Sequence, residues 1–155
     1  MPATSSVTIR TAQSEDTDAI RDIVRAAYAK WVPVISREPL PMKADYERAV
    51  REHRIEVMHI GSELVGIIEL IVHRDHLWIE NIALAPLHQA KGLGRQLLIF
   101  AERIAIESRL QEMRMLTNAA FESNVALYRR AGYLVDKCET FMGGTTVYMS
   151  KKLKR

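Results

Sequence analysis

The rhythm of apolar and polar residues changes several times along the chain, and each rhythm predicts an element. Val7 to Thr11 reads as a short strand. Ser14 suits a helix N-cap, with Glu15, Asp16 and Asp18 in a first turn that the helix dipole favours. Ile20, Ile23, Val24 and Ala27 recur at helical spacing and carry that helix to about Ala29. Trp31 to Pro41 contains three prolines and reads as loop, followed by a short helix over Asp45 to Glu52. Arg54 to Ile60 and Leu64 to His73 read as strands joined by a Gly61-Ser62 turn. Arg74-Asp75 makes a second turn into a strand over His76 to Leu84, which Pro86 ends because it cannot donate to a ladder. A glycine-rich segment, Gln89 to Gly94, opens an amphipathic helix with Leu93, Leu97, Phe100, Ala101, Ile104 and Ala105 on one face. Met113 to Thr117 is a strand, and Ser123 can cap a short helix that Gly132 closes. Tyr133 to Met142 and Thr145 to Leu153 read as two strands joined through Gly143-Gly144. The order β-α-α-β-β-β-α-β-α-β-β predicts an α+β domain, helices packed on a mixed sheet, and excludes a sandwich or a bundle.

Composition narrows the class. The 155 residues allow one domain, 1–155, with 1–6 read as a flexible tail. Hydrophobic residues make up 48%, and 22 Lys+Arg against 19 Asp+Glu leave +3, which excludes intrinsic disorder. Cys138 is the single cysteine, so a disulfide scaffold is excluded and a reducing compartment suits the chain. The dense basic run, Lys151 to Arg155, reads as a solubilising end, and no nucleic-acid partner is expected. The longest apolar run, Leu64 to Val72, is broken by Gly66 and Glu69 and is far shorter than the roughly 20 residues that span a bilayer. Met1 to Ser6 shows no basic segment leading into an apolar one, so a cytoplasmic protein without a membrane partner is expected.

The segment from Ile82 to Gly94 carries the chemistry: a strand feeds a glycine loop, and the loop opens a helix. Glycine lets backbone approach a ligand closely, and a helix N-terminus offers unpaired N–H groups and partial positive charge to a phosphate. Lys91 and Arg95 add formal charge, so a pyrophosphate is a candidate ligand. The loop is not a Walker A motif, since no Gly-Lys-Ser/Thr follows, and Leu97 stands where the dinucleotide fingerprint needs a third glycine. The same glycines also fit a bare strand-to-helix turn.

Gln89-Ala90-Lys91-Gly92-Leu93-Gly94 resembles the Gln/Arg-x-x-Gly-x-Gly/Ala motif of the Gcn5-related N-acetyltransferases, the GNAT family. Three further segments resemble the family in order: Ile9 to Ala12 with Asp16 and Ile20, Asn124 to Tyr133, and the closing Val147 to Leu153. The resemblance covers about Val7 to Leu153 and implies a mixed, mostly antiparallel central sheet of six to seven strands flanked by about four helices. It implies transfer of an acetyl group from acetyl-CoA to a primary amine of a small molecule or protein, by direct attack, with no metal. The alternative is a non-catalytic acyl-CoA-binding sensor. Fold does not fix the acceptor, and the oligomeric state stays open, homodimers being common in the family.

Carried over by position, the backbone of Gln89, Ala90, Lys91, Gly92, Leu93, Gly94 and Arg95 would hold the CoA pyrophosphate. Ile82, Ala83 and Leu84 would meet the pantetheine, with Leu84 N–H polarising the thioester carbonyl. Asn124 would contact the pantetheine arm, and Tyr128 would protonate the leaving thiolate. Glu80 is the candidate base, with Glu69 and His76 as alternatives. A strand placing Glu80 on one face with His76, Trp78, Ile82 and Leu84, and an Arg74-Asp75 turn of two residues, would set Glu69 directly opposite Glu80, raising one carboxyl. His73-Arg74-Asp75-His76 reads as a solvated turn rather than a metal site, and Cys138 as an ordinary strand residue. Trp31, Met42, Tyr46, Trp78 and Phe141 read mostly as packing, while Arg37, Glu38, Asp45 and Tyr46 lie where the fold varies its acceptor loop.

Overall fold

The computed structural model describes residues 6–154; Met1 to Ser5 of the expected tail and Arg155 lie outside it. Its sheet has seven strands: β1 (Val7–Thr11), β2 (Arg54–Ile60), β3 (Glu63–Val72), β4 (His76–Leu84), β5 (Glu112–Asn118), β6 (Leu134–Phe141) and β7 (Gly144–Lys152). They lie in the order β1-β2-β3-β4-β5-β7-β6, antiparallel except for the β4–β5 pair. The helices are α1 (Thr17–Tyr28), the single turn α2 (Val32–Ile35), α3 (Tyr46–Glu52), α4 (Leu93–Glu107) and α5 (Glu122–Arg130).

Two apolar layers hold the sheet. On one face Ile20, Val24 and Tyr28 of α1 and Tyr46 and Ala49 of α3 pack with Ile55, Val57 and Ile67. On the other, Leu97, Leu98, Ala101 and Ile104 of α4 pack with Met58, Ile68, Leu70, Leu77 and Met113. β3 is therefore covered on both faces, and Val65 to Leu70 are all buried, which is why that segment reads as an apolar run. A Cβ at Gly66 would stand 2.6 Å from Leu84 Cδ2 and 3.2 Å from Ala83 O, so a larger residue there would have to displace the Leu84 side chain.

Several local expectations change in the structure. Ser14 opens a short 3-10 turn, Ser14–Asp16, and the first turn is tied by Asp16, whose carboxylate accepts the Gln13 N–H at 2.7 Å and both Arg10 guanidinium donors at 2.8 Å. The proline-rich stretch holds α2, because Pro33 sits in the first turn, where its missing N–H costs nothing. Ser123 is inside α5 rather than its cap. The last hairpin turns on Met142 (φ 50°) and Gly143 (φ 79°), the double positive-φ pattern that matches the twist of the flanking strands. Lys151 and Lys152 belong to β7, and Lys151 Nζ reaches Glu102 at 2.8 Å, so this part of the basic run is structural. Among the described residues no helix is long and apolar enough to cross a membrane.

Candidate active site

The site arises where β4 and β5 part. They pair only from His76↔Glu112 to Ile79↔Met115; beyond that, Glu80 to Leu84 has no strand partner on its β5 side. The parting coincides with a β-bulge. Leu70 faces Ile79, yet Glu69 faces Asn81, leaving Glu80 as the extra residue. A bulge bends its strand and re-aims side chains. Leu77 and Ile79 lie in the α4 layer, and so does Ile82, whereas Ala83 belongs to the α1 layer.

That register corrects one expectation. The Arg74-Asp75 turn forms, with His73 N–H donating to His76 O at 3.0 Å and Ile71 opposite Trp78, but the inserted residue then moves Glu69 opposite Asn81 rather than Glu80. Glu80 no longer shares a face with Ile82 and Leu84. The bulge had a signal in the sequence: apolar residues run Leu77, Ile79, then Ile82, Leu84, a change of phase across Glu80-Asn81.

Two clefts open at the parting. The first, about 450 Å³, is lined by Ile82, Ala83, Leu84, Gln89, Ala90, Gly92, Gly94, Arg95, Asn124 and Leu127, with Lys30, Trp31, Ser123 and Arg130 completing its walls. Its charged residues are Lys30, Arg95 and Arg130, with no carboxylate among them. The loop above it needs unusual backbone: Ala90 has φ 60° and Gly92, the residue before α4, φ 82°. A Cβ on Gly92 would meet nothing within 4 Å, so that glycine serves conformation and access, while one on Gly94 would press Leu127 Cδ2 at 3.0 Å, so that glycine serves the α4–α5 approach. Gln89 Nε2 donates to Leu84 O at 3.0 Å and its Oε1 accepts from Lys30 Nζ at 2.7 Å, fixing the loop to β4 and α1. Arg95 donates to Arg130 O at 3.1 Å. Lys91 is exposed and Leu93 buried in the core, and neither side chain lines the cleft.

The second cleft, about 540 Å³, is walled by α3, the 35–45 segment, β3, the β4 bulge and β5. Carboxylates line it: Asp45, Glu52, Glu69 and Glu80. Asp45 caps α3 by accepting the Arg48 N–H, Glu52 binds Arg48 Nε at 2.8 Å, and Glu69 binds His53 Nδ1 at 2.6 Å. Glu80 is exposed and forms no ion pair with a described residue. Burial pushes the Glu69 carboxyl above its ordinary value, the His53 contact opposes this, and the Glu80 charge adds to it. Apolar walls come from Ile35, Pro39, Leu40, Met115, Leu116 and Phe121. Of the four residues at the variable loop, Arg37, Asp45 and Tyr46 reach this cleft, while Glu38 pairs with Arg25 at 3.4 Å.

Tyr128 also lines the second cleft; its side chain is 4% exposed, and its hydroxyl makes no hydrogen bond to a described residue. Since every fully buried side-chain polar atom among the described residues has a partner, that hydroxyl is not fully buried and opens on the cleft. Burial raises its pKa well above the usual tyrosine value. His76, by contrast, lines neither cleft; it stacks on His73 at 4.5 Å and binds Asp75 at 2.8 Å.

Three residues escaped the sequence reading: Tyr28, Asn81 and His53. Tyr28 and Ile82 line both clefts, and the Tyr28 hydroxyl donates to Asn81 Oδ1 at 2.8 Å. Asn81 Nδ2 donates to Tyr46 Oη at 3.1 Å, and Tyr46 donates to Pro41 O at 2.6 Å, so one buried chain ties α1, β4, α3 and the 39–43 turn. Neither Asn81 nor His53 carried a local signal, whereas Trp31, expected to pack, stacks on Phe121 at 4.8 Å.

The comparisons agree with this geometry. The structure of the PaiA N-acetyltransferase of Thermoplasma acidophilum, solved with coenzyme A, superposes with a TM-score of 0.84 at 20% identity, over 96% of this chain and 99% of the other. The ribosomal-protein-S18-alanine N-acetyltransferase of Escherichia coli matches with a TM-score of 0.79 at 18% identity, over 97% and 96%. YncA of Salmonella typhimurium, solved with acetyl-CoA, gives 0.74 at 18% identity, over 97% and 96%. No curated protein matches the sequence. The sequence model of the Acetyltransferase (GNAT) family matches residues 17–133, three quarters of the chain, and the chain belongs to that family.

Proposed function

We propose that this chain is an N-acetyltransferase that moves the acetyl group of acetyl-CoA onto a primary amine of a small molecule or protein by direct attack. The observation that carries the reading is the charge division between two clefts that meet at the β4–β5 parting. The charged residues of the first are cations only, whereas the second sets four carboxylates against Arg37 and Arg48, and Tyr28 and Ile82 line both. A phosphorylated donor suits the first and an ammonium the second.

The first cleft fits the donor. The α4 N-terminus, entered through the left-handed Gly92, offers backbone N–H groups of Gly92, Leu93, Gly94 and Arg95 to a pyrophosphate. Gln89, Ala90 and Lys91 complete the loop. The unpaired edge of Ile82, Ala83 and Leu84 offers backbone groups to a pantetheine, and Asn124 faces it from α5. Solved members of the same fold hold coenzyme A or acetyl-CoA, in keeping with this assignment.

In the second cleft Glu80 is assigned to the incoming ammonium. Its charge attracts the cation, and it takes the proton directly or through water, freeing the nitrogen lone pair for attack on the thioester carbon. Tyr128 supplies a proton to the departing thiolate. A reaction on acetyl-CoA in a chain whose one cysteine is free and exposed suits the cytoplasm.

The experiment is paired. Acetyl-CoA at about 100 times its dissociation constant should add roughly 2.7 kcal/mol of stability, and a panel of amines should release free CoA. No thermal shift at millimolar acetyl-CoA refutes the donor site. A shift without CoA release from any amine favours an acyl-CoA sensor.

A further inference from the structure

The second cleft contains an arrangement that the transfer reading leaves unused. Glu69 is the one charged residue in the buried run of β3, only 4% exposed. A carboxylate there is costly unless partnered, and its partner is His53, at 2.6 Å from Nδ1. His53 is the residue that ends α3: its N–H bonds Ala49 O at 2.8 Å while its backbone turns extended. β2 starts at the next residue and pairs with β3, Ile55 opposite Glu69, so the ring at the helix end lies beside β3, and both side chains line the cleft with Glu80. The other ring nitrogen, Nε2, forms no hydrogen bond to a described residue. A carboxylate that accepts the Nδ1 proton fixes the tautomer in which Nε2 carries a free lone pair. An imidazole so held has the form of a general base.

We propose that His53, oriented by Glu69, is the terminal proton acceptor of the acceptor cleft. This rests on the N-acetyltransferase reading. The N–H bond of the substrate ammonium breaks with its electron pair left on nitrogen. The proton passes through Glu80 or water to His53 Nε2, where a new N–H bond forms, and the imidazolium later gives it to solvent. The freed amine attacks the thioester carbon. Glu69 is a positioning residue, acting on the substrate only through the ring.

The charges around His53 leave this role open. On its own helix, Arg48 and Glu52 neutralise each other at 2.8 Å. Tyr46 of α3 and Tyr28 of α1 are kept neutral by burial, the Tyr28 hydroxyl being pushed well above its usual value. The remaining charged groups of the cleft are Glu69 from β3, Glu80 from β4, Asp45, which caps α3, and Arg37 from the 35–45 segment.

The test uses the intact chain and needs two readouts. In 15N-histidine NMR of the wild type, neutral His53 should carry its proton on Nδ1. In kinetics with an amine found active, His53→Gln should lower kcat about 100-fold or more, leave the acetyl-CoA dissociation constant unchanged, and flatten the acidic limb of the pH–rate profile. Millimolar imidazole should restore part of the rate to His53→Ala, which a packing role would not allow. An Nε2–H tautomer in the wild type overturns the proposal. So does a His53→Gln protein with wild-type rate and an intact acidic limb, or a His53→Ala protein that imidazole does not rescue. A wild type that releases no CoA with any amine overturns the transfer reading and this one together, whereas an active wild type with an indifferent His53 overturns this one alone.

Discussion

Replacing three of the buried tyrosines by phenylalanine, Tyr28 and Tyr128 in the cleft walls and Tyr133 beside Tyr128, separates chemistry from architecture. The Tyr128 hydroxyl has no partner among the described residues, so Tyr128→Phe leaves none of their donors or acceptors unpaired and keeps the ring within the α4 layer. Folding stability should therefore change by less than about 0.5 kcal/mol. If the hydroxyl supplies the proton for the thiolate, turnover should nonetheless fall by roughly 10²–10⁴-fold. Tyr28→Phe is the contrast. It removes the 2.8 Å bond to Asn81 Oδ1 and strands a buried acceptor, which costs about 1–3 kcal/mol. In a domain of this size that should lower Tm by a few degrees to about 10 °C. Tyr133→Phe is milder, because its partner Glu102 keeps Lys151 at 2.8 Å. Urea unfolding gives the stabilities, and single-turnover release of CoA gives the chemical step without interference from product release. Burial keeps the Tyr128 proton in place beyond the usual tyrosine range, so no basic limb assignable to Tyr128 should appear up to about pH 10. The reasoning is refuted if Tyr128→Phe unfolds as readily as Tyr28→Phe, or if its chemical step runs at the wild-type rate.

Other expectations follow from the same geometry. The folded-state pKa of Glu69 is raised, so between its ordinary value and the raised one the native state holds more protons than the unfolded one; stability should fall as pH rises through that window. Glu69→Gln should flatten that fall in pH-dependent urea unfolding, and an unchanged slope would locate the proton elsewhere. Gly94→Ala should lose about 1 kcal/mol net, since pressing a methyl against Leu127 Cδ2 at 3.0 Å outweighs the helix-propensity gain; Leu127→Ala in that background should remove the clash, and an unperturbed Gly94→Ala would contradict it. Asn81→Leu should weaken amine binding more than donor binding, because Asn81 ties Tyr28 to Tyr46 and the 39–43 turn, read as KM for amine against acetyl-CoA affinity by calorimetry.

Local signals were sufficient wherever the physics is local. Strand β2 over Arg54–Ile60, β4 over His76–Leu84 and the start of α4 at Leu93 follow from apolar spacing, turn glycines and Pro86, each of which acts within a few residues. The glycine loop could be read in the same way, since left-handed backbone at Gly92 before a helix is written into residue type. The ordered motifs carried the family. What needed tertiary structure was whatever depends on register or on distant partners. One inserted residue at Glu80 moves Glu69 from opposite Glu80 to opposite Asn81, because strand pairing integrates every residue since the turn. Glu69 and His53 stand sixteen residues apart and meet because the bulged β2–β3 register sets Ile55 opposite Glu69, which brings the end of α3 beside β3. Tyr28 and Asn81, fifty-three apart, form the joint between the two clefts for the same reason. Periodicity says which side chains turn inward; which of them touch is decided by how the helices and the sheet are laid together, and the chemistry of this cleft depends on those contacts.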